Sequence, residues 1–304
     1  MAHHHDHSHH ASAEGRIQAA LVLTLGAMAV SVVGGLVSHS LALLSDAGHT
    51  LADAGSLGLA LVAQKVASRP RTHLRTYGWR RAETLAAFVN AILLGVASVW
   101  VVVEAIERWR KPPEIKGDWM FAVAGAGLLV NLAAAWILSR GQGHNENTRA
   151  ALAHVLSDAA GSIAAMVAAV LILAWGWRRA DPLISLVLAV MIFWGAWQLV
   201  TRTLDVLMEG TPKGLAPEAL ERTIRGTPGV ADLHDLHAWT ISEGFDVVTV
   251  HVILDGTRHG TDVSRDVCQR IHDEHGIEHA TVQAEPPAAS VYYQPVSGIT
   301  RRRG

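Results

Sequence analysis

The chain has 304 residues, 50% of them hydrophobic and only 17% charged, with mean hydropathy +0.25, which excludes an ordinary soluble domain and points to a polytopic membrane protein with a soluble part. A formal net charge of −2 gives no basic signal for a nucleic-acid partner. The single cysteine, Cys268, excludes an intrachain disulfide and a CxxC redox or zinc site.

Residues 1–15 are expected to be a flexible, His-rich tail. Its start, MAHHHDHSHH, carries six histidines, His3, His4, His5, His7, His9 and His10. It has no apolar core and is not a signal peptide. His-rich tracts bind zinc without needing a fold. Asp6 and Ser8 interrupt the run, which favours a native metal-collecting tail over a purification tag; a tag can be removed without changing metal handling.

Residues 16–210 are predicted to form a membrane domain. Six apolar segments, Arg16–Val37, Leu41–Gln64, Glu83–Ile106, Asp118–Leu138, Arg149–Trp175 and Pro182–Thr203, each approach the ~20 residues that span a bilayer. One side carries ten basic residues, Lys65, Arg69, Arg71, Arg75, Arg80, Arg81, Arg16, Arg140, Arg149 and Arg202. The other has six, Arg108, Arg110, Lys111, Lys116, Arg178 and Arg179. The positive-inside rule then puts both termini in the cytoplasm. Glycines and alanines crowd the segments and permit close helix packing. Asn90 and Asn131 read as interhelical hydrogen-bond formers. Trp100, Trp109, Trp119, Trp175 and Trp177 fit an aromatic belt.

The second segment, SLALLSDAGHTLADAGSLGLALVAQ at Ser40–Gln64, has Asp46, His49 and Asp53 in its middle. At about 100° per residue, His49 and Asp53 lie about 40° apart, one turn from each other. An ionisable group at membrane depth costs on the order of 3 kcal/mol by insertion scales, so three of them suggest a water-filled or metal-filled interior. The fifth segment repeats the pattern with His154 and Asp158, again at i and i+4. Facing each other, the two helices would offer two nitrogen and two oxygen ligands, a tetrahedral set suited to Zn²⁺. The two carboxylates would cancel the ion's charge where water is scarce.

Residues 211–290 change character. A short helix at Pro217–Arg225 precedes strands Val230–Ile241 and Phe245–Leu254, a helix at Thr261–His275 and a third strand at Glu278–Glu285. This αββαβ order predicts an α+β domain with helices on one sheet face. Residues 291–304 form a basic tail containing Arg301–Arg303.

SLALLSDAGHTLAD in the second segment, YGWRRAE at Tyr77–Glu83, HVLSD in the fifth and HDLHAW at His234–Trp239 resemble the zinc-efflux branch of the cation diffusion facilitator family, over nearly the whole chain. The resemblance implies a homodimer of six-helix protomers with a cytoplasmic ferredoxin-like domain. It implies metal/proton antiport in a bacterial inner (plasma) membrane. It makes His49, Asp53, His154 and Asp158 the transport site, with a ligand set like that of the zinc-preferring members. It also makes His234, His251 and Glu285 ligands of a cytoplasmic zinc site. That site is incomplete, or completed by the N-terminal tail, because Gln283 stands where some relatives have a further His. His237 lies one residue out of phase with that face. A third, interfacial site of some relatives is expected to be absent, since its loop offers only His73 and has Trp79 in place of a His. Arg81 and Asp205 match an ion pair of relatives.

The expected mechanism is alternating access. Zn²⁺ binds from the cytoplasm, and protons entering from outside compete for the imidazole nitrogens, whose unperturbed pKa is near ~6.5. Cd²⁺ and Co²⁺ are chemically close cargo. Asp46 is either a proton carrier or a packing residue. A membrane metalloenzyme would need a motif such as HExxH, which does not occur; HDEHG at His272–Gly276 has the wrong spacing. A proton-coupled carrier of an organic substrate would want a cationic anchor at the centre of a span. A non-transporting zinc sensor differs from a carrier only in flux.

Overall fold

The structure, a computed structural model, describes residues 7–139, 146–242 and 244–287. Six long helices come first: α1 (His7–Ser38), α2 (Leu41–Ala67), α3 (Arg81–Arg110), α4 (Gly117–Ser139), α5 (Glu146–Trp175) and α6 (Ala180–Leu207). Then come α7 (Pro217–Arg225), β1 (Val230–Ser242), β2 (Phe245–Leu254), α8 (Gly260–His275) and β3 (His279–Glu285). The chain divides into two compact units between Thr203 and Leu204.

Among the described residues, α3, α4, α6 and Ala151–Trp175 of α5 are long and apolar enough to cross a membrane. α1 and α2 add shorter apolar stretches, Val22–Ser38 and Gly58–Ala67. The structure departs from the expected tail at one point: α1 is already helical at His7, so only residues 1–6 precede it. Once a helix has formed, each added residue gains a hydrogen bond at little further cost, and the Ala and Glu of ASAEGR are good helix formers. His3, His4 and His5 lie outside the described residues, and so do the side chains of His7, His9 and His10.

Small side chains let the membrane helices approach. Met120, Val123 and Ala124 of α4 pack with Ala165, Ala168, Ala169 and Ile172 of α5 and with Ala42 and Leu43 of α2. At Gly34 of α1 an added β-carbon would stand 2.5 Å from Val123, so the α1–α4 crossing depends on its absence. Half of the apolar stretch of α5 (50%) and 39% of that of α4 are buried, against 17% for α3 and for α6, so the latter two helices present most of their surface outward. The five belt tryptophans are all surface-exposed. Asn131 is buried and Asn90 half-buried.

In the C-terminal unit β2 is the central strand, antiparallel to β1 and parallel to β3. The parallel pairing requires a crossover, which α8 supplies. Alternation along β2 sends Val248, Val250 and Val252 to one face. There they meet Leu220 and Ile224 of α7 and Val263, Val267 and Ile271 of α8, all fully buried. Each such side chain contributes about 1.5–3 kcal/mol by leaving water. Gly276 ends α8 in the left-handed conformation at φ 69°. The other sheet face, uncovered by these helices, carries Thr249 and His251 of β2 and Gln283 and Glu285 of β3.

Candidate metal centres

Helix α2 starts at Ser40, whose hydroxyl accepts from the Leu43 N–H. It runs antiparallel to α5, and three successive levels define the contact. Ala42 and Leu43 share a cluster with Ala165, Ala168 and Ala169. Asp46 Oδ1 then lies only 2.7 Å from where a β-carbon on Gly161 would stand, so the absence of a side chain there admits the carboxylate. Next, the rings of His49 and His154 sit 6.4 Å apart between centroids at 60°. Two imidazoles sharing one ion at Zn–N about 2.0–2.1 Å stand on the order of 5–6 Å apart, so this spacing is close to a ligating one.

His154 Nε2 is 3.7 Å from Asp158 Oδ2, one turn on. The Asp158 side chain is 4% exposed and that of His154 is 42% exposed, so the carboxylate is sequestered while the imidazole beside it stays reachable. Asp46 is also within electrostatic reach of Asp158. The tertiary structure thus gathers His49, His154, Asp158 and Asp46 between α2 and α5. Asp53 lies one turn beyond His49 on α2, and its side chain is outside the described residues.

The second cluster is on the open sheet face. His234 of β1 is directly opposite His251 of β2, which is opposite Gln283 of β3. Glu285 lies two residues further along β3 on the same face. Its buried carboxylate reaches both imidazoles, with Oε2 at 3.0 Å from His234 Nε2 and Oε1 at 2.7 Å from His251 Nδ1. The two rings are 5.0 Å apart, and the three ligand atoms all lie within 4.8 Å of one another. Gln283 Nε2 donates to Glu285 Oε1 at 3.2 Å, so it orients the carboxylate where an imidazole would have offered a further ligand.

His237 corrects the expected phase. A bulge follows His234, so that His237 is opposite Thr249, and Asp235 takes φ 53° to form it. The extra residue returns His237 to the face of His234 and His251. Asp is one of the few residues that tolerate this conformation. His237 is exposed there, with Nε2 2.9 Å from Asp235 Oδ1. Elsewhere, Trp79 lies under the Arg75 guanidinium at 3.6 Å, and His73 is exposed in the preceding turn. Arg81 opens α3, and Asp205 lies in the last turn of α6.

The hydrogen bonds with His234 and then His251 hold the Glu285 carboxyl below the usual carboxylate range. A depressed folded-state pKa contributes stability that is present above the unfolded value of about 4.3 and is lost as pH falls through the folded value. Glu285→Gln is therefore expected to destabilise the metal-free protein more at pH 6 than at pH 3. Denaturant unfolding followed by a signal of the C-terminal unit checks this; an equal effect at both pH values would contradict it.

The cation efflux transmembrane domain matches residues 17–208, and the cation efflux protein cytoplasmic domain matches residues 212–287. The chain belongs to the cation efflux family. This is the family of the cation diffusion facilitators that its motifs resemble. The zinc transporter ZitB of Escherichia coli (strain K12) is 42% identical over 305 residues, covering 98% of this chain and 95% of that protein. The cadmium, cobalt and zinc/H(+)-K(+) antiporter of Bacillus subtilis (strain 168) is 37% identical over 288 residues, 93% and 92% of the two chains. The metal cation efflux system protein CzcD of Cupriavidus metallidurans is 37% identical over 282 residues, 92% and 89%. Among solved structures, the metal-bound C-terminal domain of a CzcD transporter is 33% identical and covers 23% of this chain and 99% of that one, at TM-score 0.23. For this cation efflux protein, membership brings the two clusters under one heading: both are gathered histidines and carboxylates in a metal-handling fold.

Proposed function

We propose that the protein exports Zn²⁺ from the cytoplasm in exchange for protons by alternating access, with His49, Asp53, His154 and Asp158 as the transport ligands. The observation that carries this reading is the meeting of the His49 and His154 rings, 6.4 Å apart, beside the sequestered Asp158. Cd²⁺ and Co²⁺ are secondary cargo. The relatives named for zinc, cadmium and cobalt support this cargo class, and the antiporter among them supports counter-transport. Protons fit the counter-ion role because imidazole exchanges a proton for a metal ion near neutral pH. Asp46, held against Gly161 beside the site, is the group best placed to carry a proton with the cycle.

His234, His251 and Glu285 bind a regulatory Zn²⁺ in the cytoplasmic domain, and the N-terminal histidines collect the ion. The protein works as a homodimer in a bacterial inner membrane with both termini cytoplasmic. The basic-residue asymmetry supports that orientation.

The test is zinc uptake into proteoliposomes under an imposed pH gradient. Flux that rises with the gradient and collapses with a protonophore is expected; zinc binding without flux would make the protein a sensor instead. In the same assay His49→Asp is expected to raise the rate for Cd²⁺ or Mn²⁺ relative to Zn²⁺ severalfold, because an oxygen ligand replaces nitrogen. Unchanged relative rates would remove His49 as a selectivity ligand.

A further inference from the structure

Asp181, in the first turn of α6, is fully buried, and it is far in sequence from everything its carboxylate touches. Its Oδ1 accepts from the Ser40 hydroxyl at 2.5 Å and from the Ala42 N–H at 3.1 Å. Its Oδ2 accepts from the Leu41 N–H at 2.9 Å. A helix N-terminus leaves four N–H groups without intrahelical partners and favours negative charge. In α2 all four are accounted for: Leu41 and Ala42 by Asp181, Leu43 by the Ser40 hydroxyl and Ser40 itself by the Gly35 carbonyl. Half of that cap comes from another helix. The preceding turn is tied as well, with His39 at φ 59° and its carbonyl accepting from Arg108 of α3 at 2.7 Å.

The clasp stands out because α6 is otherwise lightly held. Its buried apolar side chains are small: Ala180 in the cluster with Ala42 and Leu43, Ala189 (with Leu186 partly buried) against Leu41, Val101 and Ala105, and Ala196, the first two toward the same end. Farther along, α3 and α6 leave an apolar groove lined by Ala91, Val96, Phe193 and Val200. α2 and α6 are therefore joined by charge-assisted bonds at their N-terminal ends. Separating those ends would strand a buried carboxylate and the donors that face it. From Leu41 to His49 is eight residues, about 12 Å of rigid helix at ~1.5 Å per residue.

We propose that Asp181 is a positioning residue for transport: it pins the N-terminal end of α2 to α6 and makes that end the fixed point about which the ligand-bearing helix moves. The other end of α2 is then the one that travels, and His49 and Asp53 move with it on the arm between. This rests on the transport reading above.

The test compares the parent, Asp181→Asn and Ser40→Ala in proteoliposomes, as zinc flux per folded molecule across a range of zinc concentrations, alongside thermal melting and size-exclusion profiles. Asparagine keeps the shape but turns one acceptor into a donor facing an N–H or O–H. The ligands are untouched, so the maximal rate is expected to fall at least tenfold while the half-saturating zinc concentration changes less than threefold. Ser40→Ala keeps both backbone contacts and is expected to lose about threefold in maximal rate. A merely structural clasp would lower melting temperature and yield and leave turnover per folded molecule at the parent value, and that result overturns the proposal. If Asp181→Asn gives no folded protein, Ser40→Ala decides by the same criterion: parental turnover overturns the proposal, reduced turnover at unchanged half-saturation supports it. A parent without zinc flux overturns the transport reading itself, whereas a transporting parent with unaffected variants overturns only the role of Asp181.

Discussion

Asp158→Ala is expected to abolish zinc flux in reconstituted vesicles, by at least about a hundredfold, in a protein that still folds. The side chain is almost wholly buried, one turn from His154 and on the α5 face that meets α2. Removing it takes away an oxygen ligand and one of the two negative charges proposed to balance the ion. An uncompensated charge at membrane depth costs on the order of 3 kcal/mol, which is roughly a hundredfold in binding. The apo protein should tolerate the change, since alanine is a good helix former and no longer carries an ionisable group into the bundle. Asp53→Ala should behave alike if Asp53 is the second carboxylate. Flux within a few-fold of the parent in both variants, measured under the same pH gradient, would remove these carboxylates from the transport path.

The second large effect concerns the sheet-face cluster. In a protein already carrying Asp158→Ala, so that the membrane site is silenced, Glu285→Gln is expected to weaken zinc binding by more than about a hundredfold. Even changes to groups that only orient a ligand typically cost about 10–100-fold in metal affinity, and Glu285 is the anionic member of the three, touching both imidazoles. Gln283→His should act in the opposite direction, because it replaces an amide that only orients Glu285 by a further nitrogen donor on the same face. Competition titration with a zinc chelator reads both. If neither substitution moves the affinity, the cluster is an ion-paired sheet surface.

The contrast between the two clusters shows what kind of information a sequence carries. His49/Asp53 and His154/Asp158 are each a local pattern, because i and i+4 on a helix are neighbours whatever the rest of the chain does. Polar residues in otherwise apolar segments announce themselves by their cost. His234, His251 and Glu285 are 51 residues apart end to end, and only strand register brings them together. Resemblance singled them out, but the bulge at Asp235 that rotates His237 back to their face has no period-2 signature. Gln283 likewise looked like a missing ligand; that it instead donates to Glu285, two residues on along the same strand, is a side-chain orientation that strand alternation alone does not specify.

By itself the sequence determined the class of protein: apolar helices followed by an αββαβ domain, because span length, periodicity and strand alternation are set by short-range geometry. It also named the histidine and carboxylate pairs, because their spacing is local. Only the tertiary structure decided how α2 and α5 meet, with the Asp46 carboxylate admitted by Gly161 and the two imidazoles brought side by side. Only the tertiary structure, too, attached Asp181 to Ser40, 141 residues away. An acidic residue beside a proline at a helix start reads as an ordinary first-turn charge. Its role as the cap of another helix depends on which N-terminus packs beside it, and no local pattern encodes that.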